Sequence, residues 1–478
     1  MGRVGAVVTT GIYCRPGCGG RPKASNWMSY PSAAAAEANG FRACLVCRPY
    51  RDAPEAPWGG PEVVCRAVSL ILDGALDGGT EADIADRLGV SDRHLRRLFA
   101  EHVGATPDQL ARSVRAHFAR RLLDDTDLPL TDVAFTAGFG SVRQFNRVCR
   151  EVFRFPPREL RRRRRRTDRL VADGGLVVRL PFHPPLDWSS AVAIHATLAI
   201  PGVEHVEDGI YRRTAVIDGD PAVLEISMGG IDHLLLRLHL PHWESLMHTV
   251  QRARRIFSLD AGADHALSRL RDDPVVGVLV RGRPGARPTG TWDPFEAGVQ
   301  AVLAGCPAEH AALAEIVHRY GTPVPGLSAL GLTHLFPDPA RLASRDSTPG
   351  GVPPDRWRAI VAFAGVVSDG TMRLDGSERL QVLRVALSRL PGWDTCCAER
   401  LAFRIGEPDA FPATFSRLLR GLSKALGSNV SAGQAESLAR RWRPLRSHAA
   451  AYLIAAGMEP ERSALDARQP AGQALPAG

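Results

Sequence analysis

Four cysteines inside the first fifty residues constrain this chain more than any other feature: Cys14 and Cys18 form a C-x3-C pair, Cys44 and Cys47 a C-x2-C pair. Two short knuckles of this kind close readily on one tetrahedral zinc ion. A segment of that size buries little apolar surface, so a bound metal that contributes folding free energy is physically required. The other five cysteines, Cys65, Cys149, Cys306, Cys396 and Cys397, follow no such spacing. In a reducing compartment, clustered thiols point to metal before disulfide.

The chain has 478 residues, too many for one growing core, so several domains are expected. Residues 1–10 lack the basic and apolar regions of a signal peptide, and no apolar run reaches membrane-spanning length; a cytoplasmic protein without membrane contact is predicted. The net charge of +9 comes mainly from arginine, whose forked donors suit phosphate. Arginine spread by a GC-rich genome gives the same total, so placement has to decide.

The flanks of the cysteines carry more. Thr9-Thr10-Gly11-Ile12-Tyr13-Cys14-Arg15-Pro16, then Gly40-Phe41-Arg42-Ala43-Cys44 and Cys47-Arg48-Pro49, resemble the Ada methylphosphotriester-acceptor domain. The resemblance implies that Cys14 accepts the methyl group, with Cys18, Cys44 and Cys47 completing a four-cysteine shell around one zinc ion. A metal-held thiolate stays deprotonated and nucleophilic at neutral pH. Arg15, Arg42 and Arg48 are candidate phosphate contacts, against the plainer reading of solvated surface residues. Family members carry a longer segment ahead of this point, whereas ten residues precede Gly11 here, so a missing leading helix or an earlier start is expected.

From Val63 to Leu160 the pattern is helical and contains two similar units. In the first, Asp83 to Leu88 reads as a helix, Gly89-Val90-Ser91 as a turn with a serine N-cap, and Asp92 to Glu101 as a second helix with Arg93, His94, Arg96 and Arg97 near its start. The second unit repeats this with Leu130 to Phe135, Gly138 to Ser141 and a helix from Val142 to Phe153, offering Arg143, Gln144 and Asn146. Arginine with glutamine or asparagine matches the forked edges of major-groove bases. One helix, Asp108 to Asp124, joins the units. Leu95, Phe99, Phe135 and Phe145 read as core. Asp132 to Phe139, with Gln144-Phe145 and Phe155-Pro156-Pro157, resembles the AraC-family DNA-binding domain. The run Arg161 to Arg166 reads as a self-repelling, solvated linker.

Beyond it, alternation at Leu176–Leu180, Ala222–Ile226 and Leu234–His239 predicts antiparallel strands, and helical patterning returns from Leu259 to about Ala456. Pro201 to Glu204, Asp208 to Thr214, Leu390-Pro391-Gly392, Pro408 to Thr414 and Arg441 to Ser447 resemble, in order, the AlkA family of alkylbase DNA glycosylases. That family places a catalytic aspartate directly after Phe-Pro-Ala-Thr; Phe415 stands there, so catalysis is expected to be impaired. Its hairpin reads Leu-Pro-Gly-x-Gly, where this chain has Asp394 after Gly392-Trp393, a degenerate hairpin expected to anchor phosphate poorly. Leu303 to Ala308 lacks the family's glutamine-containing wedge. Cys396 and Cys397 read as packed small residues, and no Pro-Cys-His-Arg sequence for O6-methylguanine repair is present.

The expected fold is therefore multidomain α+β: an Ada-like zinc domain at 1–53, an all-α double helix-turn-helix at 62–160, a basic linker at 161–171, a small antiparallel α+β domain at 172–258, a helical HhH-GPD-like domain at 259–460 and a disordered tail at 461–478. The expected function is a monomeric alkylation-response activator acting on promoter and alkylated double-stranded DNA, with RNA polymerase as partner. Two alternatives stand beside it: an active bifunctional regulator and 3-methyladenine glycosylase, and a plain architectural DNA binder.

Overall fold

In the computed structural model, residues 4–18, 23–52, 60–171, 175–240, 242–260, 263–306, 308–345 and 347–458 are described. The expected tail at 461–478 and Pro307 of the wedge segment lie outside them.

The N-terminal module is a four-stranded sheet of order β3-β1-β2-β4, made by β1 (Val4–Val7), β2 (Ile12–Cys14), β3 (Trp27–Tyr30) and β4 (Arg42–Ala43), with helix α1 (Ala33–Ala38) against it. Its core is slight, Ala6, Tyr13, Ala36 and Ala43, as expected of a module that relies on metal. These residues do not close a core of their own. They merge with Phe118, Leu122, Phe145 and Phe153 of the helical region and with the large sheet beyond, so the boundary expected at residue 53 runs through shared packing.

Seven helices follow: α2 (Glu62–Leu72), α3 (Glu81–Arg87), α4 (Asp92–His102), α5 (Pro107–Asp125), α6 (Leu130–Thr136), α7 (Val142–Phe153) and α8 (Pro157–Arg162). Their starts are locally encoded. Thr80 with Asp83, and Thr106 with Gln109, close reciprocal capping boxes, while the Ser91 and Ser141 hydroxyls cap α4 and α7. Leu95, Leu98 and Phe99 of α4 and Phe145, Val148 and Cys149 of α7 are buried at equivalent turns, so the two units present matching outer faces.

The arginine run is anchored at the half-buried Arg161 and Arg164 and exposed at its other four members. Arg161 donates to the carbonyl of Leu128 and Arg164 to that of Thr126, Arg162 and Arg163 pair with Glu159, Arg164 pairs with Asp127 at 2.8 Å, and Arg163 stacks on Phe155. Fixed acceptors cancel the repulsion that an isolated run would have.

The next unit is a five-stranded antiparallel sheet of order β5-β9-β8-β7-β6, from β5 (Leu176–Pro181), β6 (Glu204–Glu207), β7 (Ile210–Ile217), β8 (Asp220–Met228) and β9 (His233–His239), flanked by α9 (Trp188–Leu198) and α10 (Leu246–Ile256). A helical region follows, comprising α11 (Ala263–Leu270), α12 (Gly277–Gly282), α13 (Pro294–Leu303), α14 (Glu309–Tyr320), α15 (Pro339–Ala343), α16 (Pro354–Ser368), α17 (Leu380–Ser388), α18 (Thr395–Arg404), α19 (Ser416–Leu426), α20 (Ala432–Ala439) and α21 (Arg446–Met458). It has two cores, one around Trp357 and Phe363, the other around Phe411 and Trp442. Helices α19 and α21 cross very closely: a Cβ on Gly421 or Gly457 would sit 1.9 Å from a facing carbonyl oxygen.

Charged pins tie the units together. Arg66 of α2 forks onto Glu407 at 3.0 and 2.9 Å, Arg87 of α3 meets Asp375 at 2.6 Å, and Arg255 of α10 meets Asp73 at 2.9 Å.

Candidate metal centre and nucleic-acid faces

The four sulfurs predicted from spacing converge. One Sγ from each of Cys14, Cys18, Cys44 and Cys47 lies within 4.8 Å of the others. Zinc–sulfur bonds of about 2.3 Å in a tetrahedron put the sulfurs about 3.8 Å apart, so the residues fit a single zinc ion with little contraction. Cys14 closes β2, and Cys44 follows β4, which pairs with β2 in parallel. Burial and the neighbouring Cys44 push the Cys47 thiol up to about 12 and raise Cys14 further; Cys44 is lowered, since backbone N–H groups of Cys47 and Val46 outweigh its burial. Four sulfurs this close do not share negative charge without a cation between them.

Exposure does not single out Cys14, which is 8% exposed, less than Cys18 or Cys47. Its position does. Tyr13, one residue earlier, donates its hydroxyl to Glu37 of α1 at 2.6 Å and lies 3.0 Å from His117 of α5, whose Nε2 is 2.7 Å from the same carboxylate oxygen. The strand that carries Cys14 is thus hydrogen-bonded to the helix shared by both helix-turn-helix units.

Of the three arginines near the cysteines, Arg15 is exposed and paired with Asp52 at 3.0 Å. Arg42 is half-buried and reaches the Ala43 carbonyl. Arg48 is no phosphate contact: it is 6% exposed, its guanidinium forks onto Asp168 at 2.8 and 2.6 Å, meets Asp124 at 2.7 Å, and its Nε donates to the Tyr50 hydroxyl. Sequence could not show this, because both carboxylates lie more than seventy residues away. Arg51, Arg120 and Arg179 join the same buried cluster around Asp124 and Asp125.

The candidate reading residues sit on the outer faces of α4 and α7. Arg93, Arg96, Arg97 and Arg143 are exposed, while His94, Gln144 and Asn146 are half-buried. Arg96 is held by Glu81 at 2.6 Å, and Arg97 lies 3.1 Å from His94. Gln144 accepts from the Gly140 backbone, and Asn146 donates to the Val142 carbonyl. Arg147 and Arg150, not singled out from the sequence, share this outer face. Leu95, Phe99 and Phe145 are core as expected, but Phe135 is 48% exposed because it sits on the outer side of α6.

In the hairpin between α17 and α18, Gly392 is required: its φ is +75° and a Cβ would meet the Ala359 methyl at 2.9 Å. Asp394 does not suffer from losing glycine's freedom, since its φ is −106°. Its carboxylate caps α18, accepting from the Cys397 amide at 2.7 Å, and that bond helps hold it below the usual carboxylate range despite partial burial. The Cys397 amide is thereby engaged within the chain. Cys397 is buried, its thiol pushed up to about 11, and no second metal cluster occurs among the described residues. Leu303 ends α13 and Gly305 donates to Glu309, so the chain turns directly after the helix. Phe415 stands at the start of α19 with the Arg400 and Arg417 guanidiniums 5.6 and 5.7 Å from its ring centre, and Asp409 is bound to Arg446 at 2.8 Å.

No helix among the described residues is long and apolar enough to cross a membrane.

Comparison with known proteins agrees with this layout. Residues 4–50 match the metal binding domain of Ada, 84–163 a helix-turn-helix domain, and 177–293 the AlkA N-terminal domain. The chain is similar to a probable bifunctional transcriptional activator/DNA repair enzyme AlkA of Mycobacterium tuberculosis, 39% identical over 94% of this chain and 91% of that protein. It is also similar to the DNA-3-methyladenine glycosylase 2 of Escherichia coli, 26% identical over 59% of this chain and 99% of that one. A 3-methyladenine DNA glycosylase from Archaeoglobus fulgidus superposes with a TM-score of 0.49 at 18% identity, covering 58% of this chain and 98% of that one. The chain belongs to the family of bifunctional transcriptional activators and DNA repair enzymes that join an Ada-type zinc module, a helix-turn-helix domain and an AlkA-like domain.

Proposed function

We propose that the protein senses alkylated DNA through Cys14 and transmits the event to promoter binding. The thiolate sulfur of Cys14 attacks the methyl carbon of a DNA methylphosphotriester; the carbon–oxygen bond breaks, and the backbone leaves as an ordinary phosphodiester. Bound zinc supplies the positive charge that keeps the thiolates deprotonated. Around a divalent ion, four thiolates carry a formal −2; one thioether makes it −1, which weakens repulsion from the duplex and strengthens binding. The arginines of α4 and α7 then read the major groove, and RNA polymerase is recruited.

The observation that carries this reading is the Tyr13–Glu37–His117 bond set, which fastens the acceptor strand to α5. The AlkA-like domain binds DNA with little or no base excision, because phenylalanine at position 415 neither neutralises an oxocarbenium-like charge nor orients water.

The test is mass spectrometry of the N-terminal peptide after exposure to methylated DNA, beside a Cys14→Ala control. One methyl group on Cys14, absent from the control, is expected; unchanged mass removes the sensor. Release of 3-methyladenine from duplex DNA with multiple turnover overturns the impairment.

A further inference from the structure

Buried arginines of this protein are matched to carboxylates or to sets of carbonyls. Arg48 meets Asp124 and Asp168, Arg66 meets Glu407, Arg213 meets Glu204 and Glu296, and Arg446 meets Asp409, while Arg287 gathers the carbonyls of His183 and Leu259. Some half-buried arginines, Arg121 and Arg404 among them, have no carboxylate within 4.0 Å among the described residues, and two such arginines lie beside one ring. Arg400 and Arg417 lie 5.6 and 5.7 Å from the centre of Phe415, and among the described residues neither has a carboxylate within 4.0 Å. Arg400 has one long bond, 3.4 Å, to the Thr414 carbonyl. Burial, reinforced by Arg420 and only partly offset by the more distant Glu309, holds the Arg417 guanidinium below its ordinary pKa, the mark of a cation short of counter-charge.

Two further features adjoin them in the chain. The Thr414 hydroxyl oxygen is buried and makes no hydrogen bond. Phe415 caps α19 without any side-chain acceptor, and the first turn of that eleven-residue helix holds no acidic residue, so its leading amides and dipole have no side-chain compensation from that turn. The close α19–α21 crossing keeps this end of the helix fixed. The aspartate expected from the family would supply the missing negative charge. Its replacement by phenylalanine leaves a cradle of opposite sign, with two forked cations, a hydroxyl and helix amides around an aromatic floor.

We propose that this cradle binds one phosphodiester group of double-stranded DNA, so that the site has passed from cleaving a nucleotide to holding the backbone. The Asp394 carboxylate puts a negative charge at the hairpin, which makes the Phe415 end the better placed of the two for an anion. This rests on the impaired-excision reading above.

The test uses the full zinc-loaded chain and fluorescence anisotropy on a duplex carrying a tetrahydrofuran abasic-site analogue, measured across a salt series. For Arg400→Gln with Arg417→Gln we expect at least a tenfold loss of affinity, and a log K against log salt slope flatter by about one, the signature of one lost phosphate contact. Arg400→Lys with Arg417→Lys, which retains charge and loses the fork, keeps the slope and gives an intermediate affinity; this pair separates the effect from misfolding. Affinity and slope equal to wild type in the glutamine pair overturn the proposal. So does stabilisation of the wild-type chain by millimolar inorganic phosphate, lost in the glutamine pair while duplex binding is unchanged, since the ligand is then a free anion. Base release is scored separately: excision removes the impairment reading and with it the changed role of the site, whatever the salt result, and an unaltered slope without excision removes only the cradle.

Discussion

Replacing Arg48 by methionine removes the most buried of the guanidiniums that tie the zinc module to the helical region. Arg48 directly follows the zinc ligand Cys47, and its left-handed backbone, φ 55°, turns it inward onto Asp124 at the end of α5 and onto Asp168 beyond α8. Breaking a buried ion pair from one side costs about 3–5 kcal/mol, because the partners stay buried without compensation. Here the loss falls at the lower end, since Asp124 retains Arg120 at 2.6 Å and Arg51 at 3.2 Å, while Asp168 retains the Arg165 amide at 2.8 Å. About 3 kcal/mol corresponds to roughly a hundredfold rise in opening of the module. Hydrogen exchange at the amides of β1, β2 and β4 reads that opening directly, with amides of α16 as an internal control. Adding Asp168→Leu to Arg48→Met restores much of the protection, because the second change removes an orphaned charge. Unchanged exchange in the single variant, or no recovery in the double, refutes the proposed role of the cluster.

Two other outcomes follow from the structure. Zinc analysis gives one ion per chain, and its removal by chelation abolishes exchange protection in β1, β2, β4 and α1 while leaving the helical cores around Trp357 and Trp442 protected; protection that survives chelation contradicts metal-dependent folding. His195 is buried among Tyr211 and Phe257, donates to the Ile256 carbonyl at 3.0 Å, and burial, aided by Arg404, lowers its pKa to about 4. The unfolded chain therefore takes up a proton that the folded chain refuses, so stability falls as pH drops from about 6.5 toward 4, by up to about 3 kcal/mol; His195→Phe should flatten the melting temperature across that window, and an unaltered slope counts against it.

Much of the site was legible in the chain because it is local. Cysteine spacing placed four sulfurs on one centre, serine and threonine caps marked helix starts, and the repeat of apolar turns located Leu95 and Phe145 in the core. The departure at Phe415 was visible for the same reason, a motif read residue by residue. Long-range charge matching was not legible. Arg48 looked like a surface cation beside a zinc knuckle and proved to be a buried tie, Arg161 and Arg164 looked solvated and proved to be docked while the rest of their run stays exposed, and Phe135 looked buried and proved half exposed.

By itself, then, the sequence determined the metal knuckle, the paired helix-turn-helix units and three strands of the large sheet, since these depend on neighbours within a few positions. Only the tertiary structure decided which segments of the N-terminal module pair as a sheet, which arginines face water and which face carboxylates, and that two cations beside Phe415 have no carboxylate within 4.0 Å among the described residues. An ionic pairing depends on which distant groups the fold brings within a few ångströms, and short-range pattern carries no record of that distance.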